Sequence, residues 1–145
     1  MLLNTESLIK ALGGRKVLRR RVSNLDELRR TVAAGLPYAS LDAVMIKYGL
    51  AREEAAALLR LPQRTIARRK KEQRLRADES DRLLRLARVV TEAAEVLGSE
   101  EKAVKWLRTS NRALGNQVPL ELLDNDIGAL QVEQVLGRIA HGVVS

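Results

Sequence analysis

Residues 52–71 have the sequence REEAAALLRLPQRTIARRKK, which predicts two short helices joined by a tight turn. Apolar residues occur where two crossed helices would meet, at Ala55, Ala56, Leu59, Leu61 and Ile66. Basic residues cover most of the remaining surface of the second helix. This arrangement is typical of a helix-turn-helix, whose second helix enters the major groove of DNA.

The predicted turn differs from the usual helix-turn-helix at Arg60. Gly is common in this turn because the backbone tends to a left-handed conformation, which costs a non-Gly residue on the order of 1 kcal/mol. A phosphate contact from Arg60 is one way to recover part of that cost. Pro62 suits the first turn of the second helix, where its missing N–H group has no partner to lose.

The second helix carries the candidate DNA contacts. Base edges are most often contacted by residues near the N-terminus of this helix. The candidates for base contact are Gln63, Arg64, Thr65 and Arg68. Gln pairs with adenine, Arg with guanine, and Thr offers a methyl or hydroxyl group. The candidates for phosphate contact are Arg69, Lys70, Lys71, Arg74 and Arg76. Ile66 and Ala67 are expected to face the core or the neighbouring helix.

The net charge of +8 is concentrated in two parts of the chain. Residues 60–76 contain eight Lys and Arg against one Glu, and residues 1–40 contain eight against three acidic residues. A clustered basic patch on a helical frame indicates a protein that binds polyanions. A solvated surface is the alternative for a charge run alone, but the helix-turn-helix pattern in the same place favours DNA binding.

The composition argues against several function classes. The 145 residues contain no Cys, which excludes a disulfide scaffold, thiolate chemistry and Cys-ligated zinc. His141 is the only histidine, and no catalytic triad or metal cluster can be assembled around it. There is no run of roughly 18 apolar residues and no secretory signal pattern. We therefore expect a cytoplasmic protein with no membrane contact, no enzymatic activity, no metal and no cofactor.

Helical periodicity and capping residues predict an all-α fold. Helices are predicted over residues 4–12, 25–34, 41–48, 79–97, 100–107, 119–123 and 126–141, besides the two in the helix-turn-helix. Residues 15–23 are compatible with either a short strand or an irregular arm. Ser40 is the predicted N-cap of the helix at 41–48, and Asp78 with Asp81, or else Ser80, is the predicted N-cap of the helix at 79–97.

Two apolar sets are candidates for a dimer contact. The first is the N-terminal set Leu8, Ile9, Leu12 and Leu18. The second is a seam along the longest helix, formed by Leu83, Ala87, Val90, Ala94 and Leu97. Such a seam suits packing against another helix, and packing within the chain is favoured over a dimer. Trp106, the largest apolar side chain, is predicted to anchor the core of the C-terminal region.

Two segments resemble a known family. They are PQRTIARRKKEQRLRADESDRLLRLARV at 62–89 and KAVKWLRTSNRALGNQVPLELLDNDIGALQVEQVLGRIAHGVVS at 102–145. The order W-L-x-x-x-N-x-x-L-G, P-L-E-L-L and L-G-R-I-x-x-G in the second segment is the specific part. The chain resembles the Xre/ParS-type antitoxins of bacterial RES–Xre toxin–antitoxin pairs. Arg60 departs from the small turn residue common in that family.

The resemblance implies a helix-turn-helix DNA-binding core followed by a small helical C-terminal toxin-binding domain. We expect an N-terminal region at 1–40, which is a possible dimerisation region, a DNA-binding region at 41–77, a connecting helix at 78–98 and a toxin-neutralising domain at 99–145. The expected toxin-binding residues are Leu136, Arg138, Ile139, His141, Val143 and Val144. Apolar residues this close to a chain end have little chain left to bury them.

The function that the resemblance implies has two parts. A cognate RES-type toxin, similar to ADP-ribosyl-transferring folds and able to deplete NAD, is expected to be inhibited by an antitoxin that covers its active site. The same chain is expected to bind operator DNA as a homodimer or higher assembly and to repress its own operon. The alternative is a stand-alone transcriptional regulator whose C-terminal domain only mediates oligomerisation.

Overall fold

In the computed structural model, which describes residues 4–142, the elements are helical. The nine α-helices of this range are α1 (Thr5–Ala11), α2 (Gly14–Leu18), α3 (Leu25–Ala33), α4 (Tyr38–Tyr48), α5 (Arg52–Leu59), α6 (Gln63–Glu72), α7 (Ala77–Leu97), α8 (Glu100–Leu107) and α9 (Asp126–Ala140). Two short 3-10 helices, Arg112–Leu114 and Pro119–Asp124, lie between α8 and α9. Residues 4–142 contain no strand, so the all-α prediction is confirmed. The undecided segment at 15–23 begins with the short helix α2 rather than a strand.

The long helix α7 forms the centre of the fold and contacts α1, α3, α4, α5, α8 and α9. Its predicted apolar seam is buried in the chain itself, and Leu83, Ala87 and Val90 are each fully inaccessible. The interpretation as core packing is confirmed for these three residues, which are not available to a second copy, while Ala94 and Leu97 at the end of the seam are half-buried.

The apolar residues of the N-terminal region are buried in the same core. The exposed fraction is 1% or less for Leu8, Ile9 and Leu12, and 4% for Leu18. These side chains are covered by α4 and α7, against which α1 packs. They are not available to a second copy, which corrects the first choice of dimer surface.

Helices α5 and α6 form the predicted helix-turn-helix. Ala55, Leu59 and Ile66 are buried where the two helices meet the core. Arg60 has φ 56° and ψ 45°, which is the left-handed conformation anticipated for this turn. The turn is closed by the Leu61 N–H group, which donates to the Ala56 carbonyl oxygen at 2.9 Å.

The turn between α3 and α4 is tied to the chain that precedes α7. Gly35 has φ +94°, and a Cβ atom there would lie 2.4 Å from the Leu75 carbonyl oxygen, so glycine alone fits. The Leu75 N–H group donates to the Leu36 carbonyl oxygen at 2.8 Å. The Leu36 N–H group donates to Ser80 Oγ at 2.7 Å. These contacts fix the path of the chain between the end of α6 and the start of α7.

The predicted caps of α4 and α7 are wrong. Helix α4 begins two residues before Ser40, which is buried inside the helix. The N-cap of α7 is Arg76, whose N–H group donates to the Glu79 carboxylate at 2.8 Å. Ser80 Oγ instead accepts from the Leu36 N–H group in the α3–α4 turn. Local capping rules do not predict this bond, because the two residues are far apart in the chain.

The C-terminal region packs on the second half of α7. Gly128 in α9 is buried, and a Cβ atom there would lie 1.8 Å from a backbone carbonyl oxygen of the preceding 3-10 helix. Two ion pairs from α7 hold the flank of α9, between Arg85 and Asp126 at 2.8 Å and between Arg88 and Glu133 at 3.0 Å. One side of α9 is therefore committed to the core and the other is left to solvent.

Arg108, directly after α8, joins the C-terminal region to the helix-turn-helix. Its guanidinium donates to both oxygens of the Glu54 carboxylate, at 2.5 and 3.0 Å, and to the Gly49 carbonyl oxygen at 2.9 Å. The hydrogen bond from Arg108 lowers the pKa of Glu54 below its usual value. Trp106 in α8, the predicted core anchor, packs against the core but is only half-buried.

Candidate nucleic-acid and partner interfaces

The outward face of α6 is polar and cationic. The helix buries Ile66 and Arg69, three residues apart, against the rest of the fold. The exposed residues are Gln63, Arg64, Ala67, Arg68, Lys70, Lys71 and the acidic Glu72 at the end of the helix. Thr65 is half-buried at the edge of this face. Most of the predicted DNA contacts therefore lie together on one accessible surface, with amide and guanidinium groups near the N-terminus of the helix.

Arg69 is the exception among the predicted phosphate contacts. Its side chain is 4% exposed and pairs with the Glu79 carboxylate through two hydrogen bonds, at 2.7 and 3.0 Å. A third nitrogen donates to Glu72 at 3.0 Å. Burial raises the pKa of Glu79, but the hydrogen bonds from Arg69 and the Arg76 N–H group outweigh it and leave that pKa below its usual value. Arg69 anchors α6 to α7 and does not face solvent, so its prediction as a phosphate contact is wrong.

Arg74 and Arg60 are exposed at opposite ends of α6. Arg74 follows the helix, and one of its guanidinium nitrogens donates to the Gly35 carbonyl oxygen at 2.7 Å. That bond holds the side chain near the α3–α4 turn and leaves its other donors free for a phosphate group. Arg60 occupies the turn before α6, beside the N-terminus of the helix.

Ala67 was expected to face the core, but it is exposed in the middle of the cationic face. It lies one helical turn after Gln63 and Arg64 and next to Arg68. A methyl side chain at this position lets the helix approach the floor of a groove closely, and it suits contact with the methyl group of thymine. Ile66 and Arg69, three residues apart, define the buried side of the helix, and Ala67 does not lie on that side.

The residues predicted for toxin contact are divided by the structure. Leu136 is fully buried, since it packs with Val132 and Ala129 in the core, and this part of the prediction is wrong. Ile139 is half-buried, while Arg138 and His141 are exposed. Val143 and Val144 lie outside the described residues.

Helix α9 exposes two large apolar residues that were missed in the sequence. Ile127 is 67% exposed and Leu130 is 50% exposed. Gln134, Arg138 and His141 follow at helical spacing on the same side. We call the five residues Ile127, Leu130, Gln134, Arg138 and His141 the outer face of α9. Helical periodicity places these five residues on the side of α9 opposite to the buried residues. The buried residues are Gly128, Ala129, Val132 and Val135.

Two family models match successive parts of the chain. Residues 27–88 match the antitoxin Xre-like helix-turn-helix domain. Residues 92–142 match the antitoxin Xre/MbcA/ParS C-terminal toxin-binding domain. The first range contains α5 and α6, and the second contains α8 and α9.

The chain is similar to an antitoxin Xre of Yersinia enterocolitica, with 30% identity over 117 residues that cover 79% of each protein. The chain belongs to the Xre antitoxin family. An antitoxin Xre of Photorhabdus laumondii is 43% identical over 70 residues, which cover 48% of this chain and 47% of that protein.

A solved structure has the same arrangement of helices. The fold is similar to a chain in the crystal structure of the M. tuberculosis MbcT–MbcA toxin–antitoxin complex, with a TM-score of 0.55 and 25% identity. The match covers 85% of this chain and all of that chain. The Xre family resemblance and the fold that it implied are both confirmed.

A groove of about 320 Å³ separates α9 from α1 and α7 in this Xre-family chain. Glu92 and Glu133 face one another across it, and Arg88 pairs with Glu133. Burial and the neighbouring Glu133 raise the pKa of Glu92 to about 7. The groove is therefore lined by two facing carboxyl groups, and Glu92 keeps its proton up to a pH of about 7.

Two kinds of feature are absent from residues 4–142. Within that range, no group of three or more His, Asp or Glu side chains is arranged to hold a metal ion. No helix there has the length and apolar character needed to cross a membrane.

Proposed function

We propose that this chain is the antitoxin of a RES-type toxin and represses the operon that encodes both proteins. The observation that carries this proposal is the presence, in one chain, of two separate exposed faces. One is the cationic face of α6 in the helix-turn-helix domain, and the other is the outer face of α9 in the toxin-binding domain. Each face suits a different partner.

The cationic face of α6 supports operator binding. Arg64 and Gln63 lie at the end of the helix that enters the major groove in helix-turn-helix proteins, where bidentate pairing with guanine and adenine is possible. Lys70 and Lys71 lie further along, where contacts to phosphate add affinity without sequence information. Buried Arg69 holds the orientation of the helix and makes no contact with DNA.

Titration of the full chain against a fluorescent fragment of its own promoter tests this half of the proposal. Arg64→Ala should cost about 1–3 kcal/mol and relax the preference at one base position. Lys70→Ala should weaken binding to all sequences alike and reduce the salt slope by about one unit. If neither variant alters binding at low and moderate salt, the assigned face is wrong.

The outer face of α9 supports toxin binding. Ile127 and Leu130 expose apolar side chains to water, which does not stabilise a monomer. Exposed apolar surface of this kind marks protein interfaces. Arg138 adds a cationic donor on the same side and can reach an acidic or phosphate-binding pocket. Covering the toxin's active site from this face is the inhibitory mechanism that we propose.

Co-expression with the product of the adjacent gene tests the toxin half. The double variant Ile127→Glu, Leu130→Glu should lose protection, so that growth stops and cellular NAD falls. Ile46→Glu is the matched control, because Ile46 is 82% exposed on α4, outside the toxin-binding domain. Full protection by the double variant, or loss of protection by the control, would move the inhibitory surface elsewhere.

A stand-alone transcriptional regulator is the second candidate. It predicts that the C-terminal domain serves only to join copies, so that the adjacent gene product would not bind the chain at all. The mass of the purified co-expressed complex separates the two functions. The exposed Ile127 and Leu130 favour the antitoxin, since they lie in the segment matched by the toxin-binding domain.

A further inference from the structure

A second basic segment of the chain belongs to neither the cationic face of α6 nor the outer face of α9. Residues 19–30 contain five Arg against two acidic residues, which gives a net charge of +3. Three of these Arg, at 19–21, are consecutive and exposed between α2 and α3. We call residues 19–21 the arginine arm. A cluster of exposed guanidinium groups outside the helix-turn-helix indicates a further contact with an anionic partner.

The arginine arm has a fixed path. Val22, directly after it, is fully buried, and its carbonyl oxygen accepts from the Arg15 guanidinium at 2.9 Å. Arg15 is also held by two hydrogen bonds to the Glu6 carboxylate, at 2.6 and 3.2 Å. Arg19, at the start of the arm, has φ 53° and ends α2 in the left-handed conformation. The basic side chains are therefore carried on a backbone that is anchored at both ends.

The arm and one side of α3 enclose a concavity of about 230 Å³. It is lined by Arg20, Arg21, Glu27, Arg30 and Thr31. The Arg20 guanidinium donates to the Arg30 carbonyl oxygen at 3.5 Å, which brings the arm against α3. At about 30 Å³ for a water molecule, the concavity has room for a phosphate group and several waters. Guanidinium groups are the side chains best suited to phosphate, which they bind through charge-assisted hydrogen bonds.

The guanidinium groups of the concavity are available to a ligand. Within residues 4–142, neither Arg20 nor Arg21 forms an ion pair with an acidic side chain. Arg30 pairs with Asp26 at 3.0 Å, but both side chains are more than half exposed, and such pairs contribute little stability. A phosphate group can therefore compete with Asp26 for Arg30.

Glu27 is the acidic residue of the concavity. Its carboxylate accepts from the hydroxyl and N–H groups of Ser23, at 2.5 and 3.0 Å, and these bonds lower the pKa of Glu27. The charges of Arg21 and Arg30 lower it further. Glu27 is therefore ionised at neutral pH and turned towards Ser23. Three guanidinium groups against this one carboxylate leave the concavity with a net charge of +2, which suits an anion.

The concavity lies beside the end of α6. Arg20 is bound to the Arg30 carbonyl oxygen, and Arg74, two residues after α6, is bound to the Gly35 carbonyl oxygen. One turn of helix and one further residue separate Arg30 from Gly35, so the two anchoring oxygens are within roughly 10 Å of each other. Successive phosphates of one DNA strand are about 3.4 Å apart along the axis. Arg74 and the concavity are therefore spaced to contact phosphates a few nucleotides apart.

We propose that the concavity between the arginine arm and α3 binds a backbone phosphate of operator DNA, beyond the bases contacted by α6. Duplex DNA is favoured as the source of the phosphate because the concavity adjoins Arg74 and, through it, the end of α6. The contact adds affinity without sequence information and lengthens the bound stretch of DNA. The inference deepens the proposed function and rests on its DNA half.

Titration of the full chain against its promoter duplex tests the proposal, with single phosphates replaced in turn by uncharged methylphosphonates. The double variant Arg20→Ala, Arg21→Ala should bind the unmodified duplex about tenfold more weakly, because charge-assisted hydrogen bonds are lost. Its salt slope should fall by about one unit. At the contacted phosphate, the methylphosphonate should weaken binding of the wild type and have no further effect on the double variant.

Two further variants serve as controls. Lys102→Ala, Lys105→Ala removes the same number of charges from the exposed side of α8 and should leave the affinity unchanged. Arg20→Lys, Arg21→Lys keeps both charges and should keep the salt slope, while losing part of the affinity because Lys does not bind phosphate in a bidentate manner. Circular dichroism checks that all variants fold, as their exposed positions predict.

Three results would overturn the proposal: unchanged affinity and salt slope in Arg20→Ala, Arg21→Ala; an equal loss in the α8 control; or no phosphate at which the double variant loses sensitivity. Loss of binding to single-stranded RNA with unchanged binding to the duplex would overturn it as well. Arg64→Ala and Lys70→Ala are measured in parallel. Weaker binding in these two variants alone would refute the arm contact and retain the proposed function. Weaker binding in the arm variant alone would support the arm and contradict the face assigned to α6.

Discussion

Arg69 and Leu136 have the chemistry and position expected of interface residues, yet both side chains are buried. Arg69 lies in a run of four basic residues, and only its position three residues after Ile66 distinguishes it from its neighbours. Its partner Glu79 is ten residues away in the chain, on the other side of the connection between α6 and α7. The pair can therefore be recognised only when the conformation of that connection is known. Basic residues that are adjacent in the sequence point to different sides of the helix, so one of them is buried while its neighbours remain on the surface.

Removing the Arg69 side chain should lower stability and not merely DNA affinity. Arg69→Met leaves the Glu79 carboxylate buried without its partner, and we expect a loss of about 3–5 kcal/mol in the free energy of unfolding, measured with urea. Lys70→Met, on an exposed neighbour, should change it by less than about 0.5 kcal/mol. Adding Glu79→Gln to Arg69→Met should recover part of the loss. A fully stable Arg69→Met chain would contradict the anchoring role.

Ala67 should contact a thymine in the operator. Replacement of that thymine by uracil, which lacks the methyl group, should weaken binding of the wild type about fourfold, the effect of about 0.8 kcal/mol for one buried methyl group. Ala67→Gly should bind the thymine and uracil operators equally. Scanning every thymine of the operator in this way gives the measurement, and insensitivity at all positions would exclude the contact.

At the scale of the element, α9 is held by one very close backbone approach. A Cβ atom at Gly128 would overlap the carbonyl oxygen of Leu122, whereas one at Gly137 would meet no atom within 4 Å. The same helix therefore contains one glycine that packing requires and one that it does not. The periodicity of α9 indicates which side is apolar but not how closely that side meets the preceding 3-10 helix.

The substitution Gly128→Ala should displace α9 and lower the midpoint of thermal unfolding by several degrees or more, since overpacking typically costs about 1–3 kcal/mol. Protection from the co-expressed toxin should fall with it. Gly137→Ala is the matched control and should raise stability slightly, because Ala is the better helix former. Equal stability of the two variants would show that the close approach is not maintained in solution.

At the scale of the whole molecule, stability should depend on pH through the groove between α1, α7 and α9. Burial raises the pKa of Glu92 to about 7, from an ordinary value of 4.5 in the unfolded chain. Between these values the folded state holds a proton that the unfolded state does not. The stabilisation by that proton is complete below pH 4.5 and is lost as the pH rises through 7.

Glu92→Gln should remove this dependence. We expect its midpoint of thermal unfolding to lie above that of the wild type at pH 8, where the wild type buries a carboxylate beside Glu133. The difference should shrink as the pH falls and disappear near pH 4.5. Glu133→Gln should weaken the same dependence, because it removes the facing carboxylate. A wild-type midpoint that rises from pH 5 to pH 8 relative to Glu92→Gln would contradict this prediction.

Much of the fold follows from contacts between residues close in the chain. The left-handed turn at Arg60, the start of α5, the end of α6 and the limits of α8 agree with the sequence prediction to within one residue. The cap of α7 does not agree, because Ser80 exchanges its local role for a bond to Leu36 forty-four residues away. Of the candidate DNA contacts on α6, Arg69 is buried and Thr65 is half-buried, whereas Ala67, expected inside, is exposed, because α6 turns Ile66 and Arg69 towards the rest of the fold.

The sequence by itself determined the elements of this protein, its helix-turn-helix and the concentration of positive charge, since helix caps, turns and apolar periodicity act over about four residues. Tertiary structure alone decided which faces remain for partners. It buried the N-terminal and α7 apolar sets in one core, turned Leu136 inwards and exposed Ile127 and Leu130. The reason is physical: which of two apolar positions on a helix is covered depends on the partner helices, and their arrangement is set by long-range packing.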